Sequence, residues 1–155
     1  MALPAEAARE LVARYPSPRS AILPLLWLGQ ETDGHVTPET VAEVAAILGL
    51  HESDVESVLS FYSMFRRRPP ARYRLLVCRS LACAMKGAED IVEHVREQTG
   101  VGPGEQSADG AFEVDYVECI AACDHAPACL FNEHMGGPLS REGALKLLRG
   151  EGERR

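Results

Sequence analysis

The sequence predicts an α/β protein in two parts, an N-terminal helical bundle followed by a β-α-β-β-β-α domain. Three observations carry that prediction. Up to about residue 67 the apolar residues recur at helical spacing. After the run Arg66-Arg67-Arg68-Pro69-Pro70 the periodicity changes to that of strands. Beyond it, two cysteine pairs, Cys78 with Cys83 and Cys119 with Cys123, each follow a short apolar run that reads as a strand.

In the first part, residues 1–67, Ala5 to Tyr15 is a helical segment stopped by Pro16 and Pro18. Ser20 to Glu31 is a second, with Ile22, Leu25, Leu26 and Gly29 on one face. Asp33-Gly34 is a turn signal. Thr37-Pro38-Glu39 starts a third helix: threonine as N-cap, proline at the first helical position and an acid in the first turn. Val41, Val44, Ala45 and Leu48 continue its stripe, and Gly49 ends it. Ser53-Asp54-Val55-Glu56 reads as a capping box. Val55, Val58, Leu59 and Tyr62 then carry an apolar stripe to about Phe65, with the run Phe61 to Phe65 and Trp27 expected in the core or at an interface.

The paired prolines Pro69 and Pro70 stop any helix, and the arginines beside them read as a solvated linker. The second domain spans 71–150. Tyr73 to Cys78 is a strand buried on both faces. Ala84 to Gln98 is a helix with Ala84, Ala88, Ile91 and Val95 on one side, and it stops at Gly100 to Gly104. Phe112 to Glu118 is a strand in which Phe112, Val114 and Tyr116 alternate with Glu113, Asp115 and Glu118. Ala128 to Asn132 is a third strand, and Gly136-Gly137 begins a turn into a short edge. Ser140 caps a last helix through Leu148, and the tail from Gly150 to Arg155 is expected to fray. The strand–helix–strand unit from 73 to 118 requires parallel strands. The order of elements looks like a thioredoxin-type sheet.

Composition narrows the function. A formal net charge of −7 argues against a nucleic-acid partner, which would need a basic face. The longest apolar run, Ala21 to Leu28, is broken by Pro24 and falls short of the roughly 20 residues a membrane helix needs. Glu6 and Glu10 fit poorly with a targeting peptide. The reading is a soluble intracellular protein. Five cysteines suit a disulfide framework badly, and clustered cysteines in a reducing compartment point to metal or catalysis.

Parallel strands end on one edge of a sheet, where open α/β sheets hold their ligands. Cys78 closes the first strand and Cys119 follows the second, so strand pairing brings the pairs together across the 35 residues between Cys83 and Cys119. Two irons bridged by sulfides take two thiolates each, which four cysteines supply. Such a centre is anionic. A helix starting at Ala84, with Arg79 and Lys86 nearby, would offset that charge, and the small residues Ser80, Ala82, Ala84, Ala121 and Ala122 would let backbone amides approach sulfur. By spacing alone the same cysteines also suit a structural zinc site. There is no C-x-x-C, so thiol–disulfide chemistry is not expected. Cys129, inside an apolar strand, reads as a small hydrophobe. His125 and His134 read as surface residues, because a Rieske-type centre would need two histidines in place of two cysteines. Gly100 to Gly104 reads as a turn: it follows a helix, and Pro103 lacks the amide a phosphate would want.

V-C-R-S-L-A-C-A-M-K-G-A-E, G-V-G-P-G-E and V-E-C-I-A-A-C-D-H-A-P together resemble the thioredoxin-like [2Fe–2S] E subunit of NADH:quinone oxidoreductase, respiratory complex I. F-Y-S-M-F and R-S-A-I-L-P-L-L resemble its helical N-terminal part, so the likeness runs from about Tyr15 to Leu148. It implies one [2Fe–2S] cluster held by Cys78, Cys83, Cys119 and Cys123. It implies a partner, the F subunit that binds FMN and NADH, from whose flavin the cluster accepts one electron. It also implies a place on the inner, cytoplasmic face of a membrane through the complex. The chain alone would have no catalytic activity. Members of the family also serve NAD-linked hydrogenases and formate dehydrogenases. A free-standing ferredoxin and, from another class, a zinc-stabilised docking module are the rivals. The sequence departs from the family at two places. Ala122 stands where the family often has glycine, which puts a left-handed backbone there in doubt, and Cys129 stands where an aliphatic residue is usual.

Overall fold

The computed structural model describes residues 3–151. The chain divides between Pro70 and Ala71 into two compact units, each with a core of its own.

The first unit is helical: α1 (Ala5–Ala13), a 3₁₀ turn (Pro18–Ala21), α2 (Ile22–Asp33), α3 (Pro38–Leu48) and α4 (Glu52–Phe61). Ile22, Leu25, Leu26, Val44 and Val55 are fully buried between them. Thr37 caps α3 by accepting the Thr40 amide at 3.2 Å, and Gly49 ends it in the left-handed region at φ 63°. Gly29 is needed where α2 meets α3, because a Cβ there would lie 2.4 Å from Thr40 Cγ2.

Two details of this unit differ from expectation. The capping box at Ser53 is not formed: α4 starts one residue before it, and the Nδ1 of His51 accepts the Ser53 amide at 3.3 Å. The helix also stops at Phe61 and not near Phe65. Buried Gln30 explains the early stop. Its Nε2 donates to the Met64 carbonyl at 3.2 Å and its Oε1 accepts the Arg66 amide at 2.7 Å. Those two bonds, with the Val36 amide donating to the Arg66 carbonyl at 2.7 Å, hold residues 62–66 against α2 as a return that turns at Ser63-Met64. Phe65 lands edge-on against Trp27, ring centres 6.3 Å apart.

The second unit is a five-stranded sheet with helices: β1 (Tyr73–Cys78), α5 (Leu81–Met85), α6 (Ala88–Thr99), β2 (Glu105–Gln106), β3 (Phe112–Val117), β4 (Cys129–Phe131), β5 (His134–Gly136) and α7 (Arg141–Leu148). The strand order is β2-β3-β1-β4-β5. β1 and β3 run parallel from Tyr73 opposite Phe112 to Cys78 opposite Val117, and the other pairings are antiparallel. Leu75, Val77 and Val114 from the sheet pack in one core with Val92 and Val95 of α6 and Ala144 of α7.

The helix expected from Ala84 to Gln98 is two helices. They are broken at Lys86-Gly87, where Gly87 takes φ 84°. β2 is an additional short edge that the alternation in Glu105-Gln106 is too brief to announce. The turn into β5 falls on Asn132 and Glu133, both left-handed, so the edge strand precedes Gly137. Glu113 does not face solvent as its place in the alternation suggested. It is buried against Arg74, its register partner on β1, with Nε to carboxylate at 2.7 Å. Ser140 caps α7 as expected by accepting the Gly143 amide at 3.0 Å. The part of the tail beyond Glu151 expected to fray lies outside the described residues.

Candidate metal centre

Because β1 and β3 are parallel and in register at Cys78 and Val117, their C-terminal ends lie level. Cys78 is the last residue of β1 and Cys119 stands two residues past β3. Each strand then leaves through a short curl that carries the second cysteine of its pair. Cys83 lies inside α5, and Cys123 opens a 3₁₀ turn, Cys123–His125. The two pairs differ in environment. Cys78 and Cys83 are buried, at 3% and 2% exposure, whereas Cys119 and Cys123 are exposed.

Cys78 and Cys123 are both near enough to act on Cys83 electrostatically. Burial pushes the Cys83 thiol up, the Ala128 amide pulls it down, and Cys78 and Cys123 push it up again. The fold thus brings Cys78 and Cys123 within reach of Cys83, and Cys119 is exposed.

The supports differ in part from those expected. No helix begins at Ala84, since its amide is already bonded to the Ser80 carbonyl at 2.9 Å. Arg79 gives the site no free positive charge, because its Nη2 pairs with Glu118 at 2.7 Å and its guanidinium lies over the Tyr116 ring at 5.9 Å. That pair joins the residue after Cys78 to the residue before Cys119. Arg79 therefore ties the two cysteine-bearing strand ends together across the surface, where ion pairs add little stability.

Among the described residues no three His, Cys, Asp or Glu side chains gather tightly enough to hold one metal ion. A binuclear [2Fe–2S] cluster takes two thiolates per iron from four cysteines. Four thiols in two pairs, one pair under cover and one at the surface, fit that donor chemistry.

The left-handed backbone in the lower loop falls on Ala121, at φ 58°, and not on Ala122, at φ −109°. The strain is one residue earlier than the position singled out from the sequence, and nothing in Ile120-Ala121-Ala122 distinguishes the two alanines. Cys129 is buried at 2% exposure in β4, and burial pushes its thiol up to about 11. His125 and His134 are exposed, and His125 lies 3.4 Å from Asp124. Gly100 is the left-handed cap of α6, and Gly102 donates its amide to Glu105 at 2.8 Å, so this run serves a turn.

The family model described as thioredoxin-like [2Fe–2S] ferredoxin matches residues 8–150. The E subunit of the NADH-quinone oxidoreductase of Mycobacterium tuberculosis is 40% identical over 141 residues, 91% of this chain and 56% of that one. The chain therefore spans about half the length of this relative. NADH-quinone oxidoreductase subunit 2 of Thermus thermophilus is 40% identical over 126 residues, 80% of this chain and 70% of that one. The E subunit of the Pseudomonas aeruginosa oxidoreductase is 36% identical over 134 residues, 86% of this chain and 81% of that one. Among solved structures, an NAD+-reducing [NiFe]-hydrogenase in the air-oxidised state superposes with a TM-score of 0.69 at 22% identity, over 82% of this chain and 23% of that one, a likeness of fold. The chain belongs to the thioredoxin-like [2Fe–2S] ferredoxin family.

Proposed function

We propose that this chain is the [2Fe–2S] electron-transfer subunit of an NADH:quinone oxidoreductase. In this reading Cys78, Cys83, Cys119 and Cys123 hold the cluster, and the chain works beside a flavin- and NADH-binding subunit on the inner face of a membrane. The observation that carries the reading is the placing of two cysteine pairs at the level ends of parallel β1 and β3, one pair buried and one exposed. When bound, such a cluster accepts and releases one electron at a time.

The residues of this chain would do the rest. Cys78 and Cys83 would hold the cluster from the protein side, where burial keeps water from their sulfurs. Cys119 and Cys123 would hold it at the surface, where a donor can come close. Leu81 and Met85, 77% and 80% exposed on α5 on either side of Cys83, would offer apolar area to a partner. Among the described residues no helix is long and apolar enough to cross a membrane, so attachment to one would run through the complex. The described side chains supply no nucleotide fingerprint, so NADH oxidation belongs to the partner. An equivalent subunit of an NAD-linked hydrogenase is a weaker reading, supported by likeness of fold.

The test is anaerobic assembly followed by iron, sulfide and zinc analysis with visible and EPR spectra. Two irons and two sulfides per chain, with a rhombic or axial signal on one-electron reduction, are expected. A colourless zinc protein would sink the reading. Leu81→Glu is expected to weaken co-purification with the flavoprotein at least tenfold, about 1.4 kcal/mol, with the spectrum unchanged. Equal recovery of the partner would remove Leu81 from the contact.

A further inference from the structure

The peptide of Ala128 touches both members of the buried cysteine pair. Its N–H donates to Cys83 Sγ at 3.4 Å, a normal length for a donor to sulfur, and its carbonyl accepts the amide of Cys78 at 3.0 Å. Ala128 itself is fully buried, so no water competes for either bond. It lies five residues beyond Cys123, at the end of a segment that starts at the exposed pair and returns to the buried one.

That segment is held in place from its far side. The Leu139 amide donates to the Pro127 carbonyl at 2.8 Å. Gly137 packs against it so closely that a Cβ there would lie 2.3 Å from the His125 carbonyl oxygen, 3.1 Å from that of Pro127 and 3.3 Å from Ala128 Cα. Gly137 also has φ 152°, a conformation open to glycine. A side chain at 137 would have to push the segment that carries Ala128 away.

We infer that Ala128 is a positioning residue for the metal centre: its amide fixes the Cys83 sulfur and favours the more negative, reduced state, and Gly137 allows the close approach on which that bond depends. The inference rests on the reading of Cys83 as a ligand. A hydrogen bond to a ligating sulfur is one of the protein's levers on reduction potential. It stabilises negative charge, and the reduced centre carries one more. The bond therefore counts for more after the electron arrives, and losing it makes reduction harder. No bond is made or broken in this step; one electron enters and one leaves.

The direct test removes the single N–H. Incorporating lactic acid at position 128 replaces the amide by an ester in the full chain. The midpoint of the assembled protein is then read by spectroscopic titration, and the melting of the metal-free protein by circular dichroism. The expected result is a reduction equilibrium made less favourable on the order of tenfold, about 59 mV for one electron, with metal-free melting close to that of the natural chain. Loss of the cluster with metal-free melting intact also supports the inference, as failure of the positioned sulfur. A cluster held at the natural midpoint would overturn it. Gly137→Ala is expected to shift the midpoint in the same direction, and an Ala variant that folds and holds the natural midpoint would take Gly137 out of the account. A natural chain that takes up no iron would defeat the reading of the ligands, a result distinct from all of these.

Discussion

At the scale of residues, the five cysteines separate by what surrounds them. Cys83 and Cys129 are equally buried, yet Cys83 meets Cys78, Cys123 and the Ala128 amide, while burial alone moves Cys129. Cys83→Ser and Cys123→Ser are therefore expected to lose the visible cluster bands, and Cys129→Ser to keep them. A bleached Cys129→Ser protein would show the ligand set to be wrong. Cys129 also sets an alkaline limit. Its thiol titrates near 9.0 when exposed and is pushed up to about 11 by burial. Between those values the unfolded chain has already released a proton that the folded chain keeps. The stabilisation is therefore complete below pH 9 and lost as pH rises through 11, an amount of roughly 2–3 kcal/mol. Denaturant titrations of the natural chain and Cys129→Ala across that window should converge by about this amount. Parallel curves would show that the thiol titrates alike in both states. The place of Cys78 and Cys119 at the ends of two strands was legible in the sequence, because the apolar runs before them carry it. Which thiol meets which amide was not, because the Ala128 contact joins residues 45 apart through the fold.

At the scale of elements, the sequence was readable wherever a local signal decided the outcome. Thr37-Pro38 opened a helix and Gly49 closed it, and Tyr73 to Cys78 became a strand. The reading slipped where a distant group won. Gln30 ends α4 early by taking the backbone of residues 64 and 66, and Arg74 draws Glu113 into the sheet from a position whose alternation pointed outward. The loop joining β3 to Cys123 is the sharpest case. The left-handed residue could have been either of two adjacent alanines, and the turn settles on Ala121. An alanine held there costs about 1 kcal/mol relative to glycine. Ala121→Gly is therefore expected to stabilise the metal-free protein by about that amount, less the greater freedom glycine has when unfolded. Chemical denaturation checks it, with Ala122→Gly as the neighbour that should destabilise. The reverse order of the two variants would place the strain at Ala122.

At the scale of the whole molecule, the chain is two cores in sequence, and all five cysteines belong to the second. The division between Pro70 and Ala71 falls where prolines and a change of period coincide in the sequence. A bound metal centre contributes its binding free energy to the folding of whatever holds its ligands. Here those ligands would hang from the ends of β1 and β3 and from the curls after them, so the centre would brace the sheet. Local stability need not be uniform along a chain built this way. Hydrogen exchange on the loaded and metal-free proteins should therefore differ by region. Amides of β1, β3 and β4 are expected to exchange faster once the metal is removed, with the largest change at Cys78 and Ala128. Amides of Leu25, Leu26, Val44 and Val55, in the core of the helical unit, are expected to keep their rates. Faster exchange of equal size in both regions would mean that the two cores open as one cooperative unit, and that the metal stabilises the helices through the sheet.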